Sequence, residues 1–354
     1  MLASVLLVLV GCFSQGKSTA DSTTSSFHLG AYADAYYSSS VFSAEKFQRP
    51  YFVSSALNNQ ANLNLVYLEA SFRSPSFRFN VSPGFGTYME ANYASEKGIG
   101  RHLLLANAGI RVSKKLDAWI EAGVLDSPYS SEGPISRDQL LYSRSLAPEH
   151  VPYYLSGVRL SVTPHEKWTI KLLALTGWQQ INDVNEKKSF ASTVIFKPNP
   201  TIEWTYNTYF GDERSAANPE FRNRTFHDLY VKVKTNPKWE STAGFYFGTQ
   251  EKNNQAAATW WQANLMSRRT LSDHFSLSGR IEYFSDPKQV LLRPTGQLPF
   301  QVFSSGLCLN LKLGKRSLFR IDGRYFKATD QIFGPSGPKK NNDLLLTTSL
   351  TSWL

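Results

Sequence analysis

The sequence predicts an all-β fold, a transmembrane antiparallel β-barrel of about sixteen strands with long loops at one end and short turns at the other. Three observations carry this prediction. Apolar and polar residues alternate with period two in segment after segment, tight turns alternate with long connections, and a large aromatic follows each tight turn.

The alternation is explicit in three segments. Residues 166–177 place Trp168, Ile170, Leu172 and Ala174 on one face and Lys167, Thr169 and Lys171 on the other. Residues 238–249 set Trp239, Ala243, Phe245 and Phe247 against Lys238, Glu240, Thr242 and Gly244. Residues 273–283 set Phe275, Leu277, Gly279, Ile281 and Tyr283 against His274, Ser276, Ser278, Arg280 and Glu282. At the C-terminal end Leu344, Leu346, Leu350 and Leu354 keep the alternation to the last residue. That suits a closed barrel, whose last strand must be paired because unpaired backbone groups in lipid cost several kcal/mol each.

Turn chemistry sets the strand count. Short breaks fall at 73–76, 113–115, 163–166, 198–200, 235–238, 270–273 and 314–317, rich in Pro, Asn, Gly and Ser. Longer connections fall at 38–60, 88–100, 126–151, 179–188, 212–223, 250–257, 285–300 and 328–341. Seven turns and eight loops imply sixteen strands, with a margin of about two. The expected strands are 28–38, 61–73, 76–88, 101–113, 116–126, 152–163, 166–178, 189–198, 201–211, 224–235, 238–250, 257–269, 273–285, 300–313, 317–327 and 342–354. An even count puts both termini on the short-turn side, expected to be periplasmic.

Composition excludes the main competitors. Among 354 residues, 42% are hydrophobic and the mean hydropathy is −0.31. Beyond the N-terminus no unbroken apolar run approaches the roughly 18 residues of a membrane helix, so a helical membrane protein is excluded. A secreted soluble sandwich or solenoid would share the alternation. It has no reason to place an aromatic at one end of strand after strand. Phe77, Trp168, Trp204, Trp239, Phe275 and Phe319 share the parity of their strand's apolar face and form a candidate aromatic girdle, while Trp119 breaks the parity.

Residues 2–10 read as the apolar core of a secretory signal, without a basic segment before it. Cleavage after Ala20 would make 1–20 the signal peptide, 21–27 a short N-terminal segment and 28–354 the barrel. Leu9-Val10-Gly11-Cys12 also resembles a lipobox, which would lipidate Cys12. Cleavage after Ala20 leaves Cys308 as a single thiol, without a disulfide partner and expected to serve as a packing residue.

The formal charge is +10, or +9 without residues 1–20, which carry only Lys17. The basic residues are scattered singly along strands without a coherent face, which argues against nucleic acid and fits an anion-favouring lumen.

Several stretches resemble a known family. Leu141-Tyr142-Ser143-Arg144-Ser145-Leu146-Ala147-Pro148-Glu149, then Pro152-Tyr153-Tyr154-Leu155-Ser156-Gly157-Val158 and Gly177-Trp178-Gln179-Gln180-Ile181, resemble the central segment of the outer-membrane beta-barrel porin-2 family. Ala31-Tyr32-Ala33-Asp34-Ala35-Tyr36-Tyr37 and Gly123-Val124-Leu125 are similar to earlier pieces. The resemblance spans about residues 28–354 and implies a porin-like barrel in the outer membrane of a Gram-negative bacterium. It carries over no agreed binding residues.

Two groups of candidate site residues follow. The loop at 126–151 is the longest and the third, with a short helix expected near 137–144. Folded into the lumen, it would present Arg137, Asp138, Arg144 and Glu149 at a pore constriction, or else brace the wall. The candidate lumen wall comprises Arg78, Arg111, Arg159, Lys171, Arg280, Arg320 and Arg324, with Glu121, Glu203, Glu240, Glu282 and Asp322 at the same parity. These could set a positive pore field or pair as salt bridges across strands. The six His show no metal-ligand spacing, and no nucleophile elbow or phosphate loop occurs. No enzyme, metal or cofactor is therefore expected.

The expected function is passive diffusion of small hydrophilic solutes with a mild anion preference. The alternatives are a non-conducting structural barrel in a larger outer-membrane assembly and, third, a barrel enzyme. Expected partners are outer-membrane lipid and lipopolysaccharide, with a homo-oligomer or larger complex left open.

Overall fold

The computed structural model describes residues 24–292, 298–335 and 339–354. The signal-peptide and lipobox readings fall on residues 1–20 and lie outside the described residues. In chain order the strands are β1 (Ser26–Ser40), β2 (Gln60–Arg73), β3 (Phe77–Phe85), β4 (Leu103–Ser113), β5 (Ala118–Asp126), β6 (Tyr154–His165), β7 (Trp168–Leu175) and β8 (Ser189–Asn199). They continue with β9 (Ile202–Asp212), β10 (Phe221–Asn236), β11 (Trp239–Lys252), β12 (Gln255–Thr270), β13 (Phe275–Asp286), β14 (Phe300–Lys312), β15 (Ser317–Ala328) and β16 (Asn342–Trp353). Neighbours in sequence pair antiparallel, and β1 closes on β16 with Tyr32 opposite Trp353 and Ser40 opposite Leu345. The sixteen strands thus form a closed barrel without an edge.

Closure explains the alternation. Outward positions such as Leu29, Leu68, Ile110, Leu172, Phe210, Ile281, Leu307 and Leu346 are exposed, while their chain neighbours face inward. The result is an apolar outer belt of the kind that faces lipid. Among the described residues no helix is long and apolar enough to cross a membrane.

Three local expectations are corrected. The connection at 250–257 is a two-residue turn, Asn253–Asn254, because Asn254 accepts φ 56° and lets β11 and β12 pair to Lys252 and Gln255. The strand expected over 76–88 stops at Phe85, and a short helix, α1 (Thr87–Asn92), follows. Gly86 makes the break: its φ is 116°, and a Cβ there would lie 2.6 Å from the Asn64 carbonyl oxygen. The helix expected near 137–144 is only a 3-10 turn at Ser136–Asp138, with a second at Pro148–His150.

The loop-side half of the interior is filled. One cluster joins Tyr51 and Phe52 of the first loop (41–59), Leu146, Ala147 and Val151 of the third, and the inward residues Phe226, Tyr246, Trp260, Phe284, Phe300 and Phe326. Trp260 fits because residue 248 opposite is glycine, where a Cβ would lie 2.0 Å from the indole. Gly248→Val is therefore expected to cost about 1–3 kcal/mol by overpacking, read as an earlier urea unfolding midpoint in detergent. An unchanged midpoint would refute the tight fit.

Candidate functional site

The third loop (127–153) runs inside the barrel at mid-height, and its backbone bonds to inward groups of many strands. A backbone buried there must find partners for its N–H and C=O groups. The Tyr142 and Ser143 N–H groups both donate to Asp322, each at 3.0 Å. Those of Leu146 and Ala147 donate to Glu282 at 2.9 Å and Gln262 at 2.6 Å. On the far wall, Ser130 N–H donates to Asp228 at 2.7 Å.

The loop's carbonyls are met by arginines. Arg280 donates to the Ser143 oxygen at 2.9 Å, Arg320 to the Ser136 oxygen at 2.6 Å and Arg324 to the Arg144 oxygen at 2.6 Å. Arg268 reaches the Gln139 oxygen. Arg280 lies 3.5 Å from Glu132, and Arg324 pairs with Glu282. Arg280, Arg320 and Arg324 are buried. They act as a clamp on the loop, and neighbouring carboxylates and carbonyls take up their charge.

The four constriction candidates separate. Arg144 and Glu149 are buried. Arg144 donates to the carbonyls of Gly133 at 3.0 Å, Tyr142 at 3.3 Å and Pro134. Glu149 accepts the Val53 and Ser54 N–H groups at 2.7 and 2.9 Å, docking the first loop on the third. Both therefore brace. Arg137 and Asp138 stay accessible and pair at 3.2 Å, with Arg137 over the rings of Tyr32 and Trp353 at 5.8 and 5.4 Å.

Burial pushes the Glu149 carboxyl above the usual carboxylate range, against the pull of Arg144. Burial also pushes the His150 imidazole down from 6.5 to about 4, where it meets the Tyr51 carbonyl at 3.0 Å. A base whose pKa is depressed on folding contributes stability that is complete above 6.5 and is lost as pH falls through about 4. Proteolysis within 41–59 should therefore accelerate over that window. Glu149 shifts in the opposite sense, so His150→Gln isolates the histidine. If the acid acceleration survives in that variant, His150 is not its source.

The remaining wall candidates lie nearer the turns. Glu121 joins Arg78 and Arg159, each at 2.9 Å, and Arg159 also reaches Asp126 at 2.9 Å. Arg111 pairs with Asp117 at 2.8 Å, Lys197 with Glu203 at 2.7 Å and Arg268 with Glu240 at 3.1 Å. Trp119, off the outward parity, is buried on the inner wall beneath Arg78 and Arg111 at 4.2 and 5.0 Å. Phe77, Trp168, Trp204, Trp239 and Phe275 are 39–43% exposed on the outer face, while Phe319 is half-buried. Cys308 is buried beside Asn310.

Two cavities occupy the turn-side half. The larger, about 700 Å³, lies between the third loop and the wall from β7 to β11. It is lined by Lys167, Lys197, Lys232 and Lys234 and by Glu132, Asp138, Glu166, Glu203 and Glu240, so its charges nearly balance. The smaller, about 340 Å³, lies against β2 to β7 and holds Arg78, Arg159, Lys171, Glu121, Asp126 and Trp119. Toward the loop side of the same strands the lumen holds an aromatic cluster. Tyr88, Met89 and Tyr93, on α1 and just after it, pack with Tyr67, Leu104, Tyr153 and Tyr154, and Tyr93 stacks on Tyr154 at 4.1 Å.

Strand parity does not announce this cluster. A helical run, Thr-Tyr-Met-Glu-Ala-Asn, directly after a glycine was the available signal. The inward Asp34 between Tyr32 and Tyr36 was also missed, although strand parity alone marks it.

A closed sixteen-strand barrel with an apolar exterior, a charged inner wall and a long loop folded into the lumen is an outer-membrane barrel of the porin class. The family model described as "Putative beta-barrel porin-2, OmpL-like" matches residues 26–352. The chain belongs to that family, and the protein resides in the cell outer membrane. No curated protein matches it by sequence. Among solved structures it is similar to the anion-selective porin from Comamonas acidovorans, at 7% identity and TM-score 0.60, covering 94% of this chain and 100% of that one. The outer membrane channel DcaP of Acinetobacter baumannii is similar at 8% identity and TM-score 0.61, covering 95% and 99%. Salmonella typhi OmpF, solved with daunomycin, is similar at 9% identity and TM-score 0.61, covering 93% and 97%. At these identities the likeness concerns the fold.

Proposed function

We propose that the protein is a passive diffusion channel for small hydrophilic solutes whose resting conformation is closed or nearly so. The observation that carries this reading is the divided lumen: polar cavities fill the turn-side half, and packed side chains fill the loop-side half. A sixteen-strand barrel is wide enough for water once its filling moves. The route runs through the smaller cavity along β2 to β7. There the proposed ceiling is the aromatic cluster, which among the described residues makes no ion pair to the wall, whereas the third loop is clamped by arginines.

The charge arrangement favours only a mild anion preference. Arg144 and the clamp arginines are buried against the third loop and Arg137 pairs with Asp138, so Lys171, on the smaller cavity, is the cation best placed to act on solutes. Its effect is greatest at low salt, because screening acts over roughly 8 Å at physiological strength. In planar bilayers the folded protein should give small discrete steps, with reversal potentials in a salt gradient weakly on the anion side. Cation selectivity would overturn the anion preference.

A second reading, a non-conducting structural barrel, is favoured by one specific observation. Inward residues of the loop-side half, from Leu65 and Tyr67 round to Phe326 and Leu345, are buried. Absence of steps from pure folded protein, with and without α1, would select it.

A further inference from the structure

The positive charge that is scattered in the sequence is gathered by the fold. Each of the seven turns on the strand ends opposite the long loops carries an exposed base at or beside its tip. Lys114, Lys115, Lys238, Arg269, Lys315 and Arg316 stand at the tips or on the outer side. The other turns contribute Arg73, Lys167 and Lys197, which turn toward the two cavities. Carboxylates at this level are few, and two of them are already paired, Asp117 with Arg111 at 2.8 Å and Glu203 with Lys197 at 2.7 Å. On the loop side, by contrast, acids and bases meet, as in Lys187 with Asp212 at 2.9 Å and Lys188 with Asp183.

The ring stands directly beyond the outward aromatics. Lys238 immediately precedes Trp239, and Arg269 lies over the Trp239 ring at 5.8 Å. Such rings settle at headgroup level, which places the bases at the height of the lipid phosphates. A protein or peptide partner would call for a patch on one side. Bases at the tips or on the outer side of four of the seven turns, from the β4–β5 turn to the β14–β15 turn, fit a partner that surrounds the barrel.

We infer that the turn side is a basic collar that binds anionic phospholipid headgroups in the inner leaflet of the outer membrane. Several bases close to an anionic surface act together and are screened by salt. The collar rests on the membrane location and the turn geometry and is independent of whether the barrel conducts.

The test uses full-length folded protein in bilayers of phosphatidylethanolamine with a minority of phosphatidylglycerol. Spin-labelled versions of each lipid report which is held at the protein boundary. The expected result is a preference for phosphatidylglycerol of about twofold or more, falling as salt rises. A variant carrying Lys114→Gln, Lys115→Gln, Lys238→Gln, Arg269→Gln and Arg316→Gln should lose it. A loop-side control with Lys187→Gln and Lys188→Gln should keep it. Heat-modifiable gel mobility confirms that each variant is folded. Equal retention of both lipids by the wild type, or a preference that survives in the turn variant, overturns the collar. So does its abolition by inorganic phosphate at matched ionic strength, which would make the turns a site for free phosphate. Binding of a soluble acidic peptide without lipid preference would instead assign the ring to a protein partner.

Discussion

Replacing residues 87–95 by a short Gly-Ser linker is expected to raise single-channel conductance several-fold. This segment holds Tyr88, Met89 and Tyr93, which pack in the aromatic cluster on the loop side of the strands that line the smaller cavity. Its polar ties are modest: Gln179 donates to Asn92 at 3.0 Å, and Tyr154 donates to nearby Glu96 at 2.8 Å. Removing it takes away three large packed side chains, and their burial stabilises the fold by about 1.5–3 kcal/mol each. The strand ladder holds the barrel independently of them, so the variant should still fold while the route along β2 to β7 widens. The comparison uses matched bilayers and counts only protein that shows heat-modifiable mobility. Unchanged conductance would place the closure elsewhere.

The second large effect is on stability. Arg324→Ala is expected to destabilise the protein by about 3–5 kcal/mol, because it strands a buried carboxylate. Arg324 pairs with Glu282, donates to the Arg144 carbonyl at 2.6 Å and to Ser304 at 2.9 Å, and lies over Phe326 at 4.5 Å. Without it, Glu282 keeps, among the described residues, only Arg280 as an ion-pair partner, at 3.9 Å. Combining Arg324→Met with Glu282→Gln removes both charges and retains an acceptor for the Leu146 N–H, so the double variant should recover much of the loss. Urea unfolding in detergent measures both. If the double variant is as unstable as Arg324→Ala, the cost lies in lost packing and the clamp argument fails.

The strands were legible because closure imposes one rule on every residue: outward in lipid must be apolar, inward need not be. Trp168, Ile170 and Leu172 against Lys167, Thr169 and Lys171 announce that rule directly. Turn chemistry at Pro198-Asn199-Pro200 or Asn236-Pro237 announced the hairpins, and it misled only at 250–257, where polar residues continue a ladder instead of forming a loop. Parity also placed Arg280, Arg320 and Arg324 on the inner wall.

Parity could not tell what those arginines face. An arginine aimed at water and one aimed at a loop carbonyl have the same sequence signature, and the difference depends on contacts made 137–184 residues away. The tyrosine ceiling was hidden for a similar reason, because α1 is too short for its periodicity to stand out from a loop. The basic ring at the turns was hidden because residues such as Lys115 and Lys315 become neighbours in height only when the strands align.

The proposed function requires that a porin-type route exists and is held shut at its loop-side end by the tyrosines on and just after α1. Single-channel recording of the wild type beside the 87–95 replacement tests this most directly. Small steps are expected from the wild type and several-fold larger, ohmic steps from the replacement. Large open steps from the wild type, or silence from both proteins when folded, would contradict it.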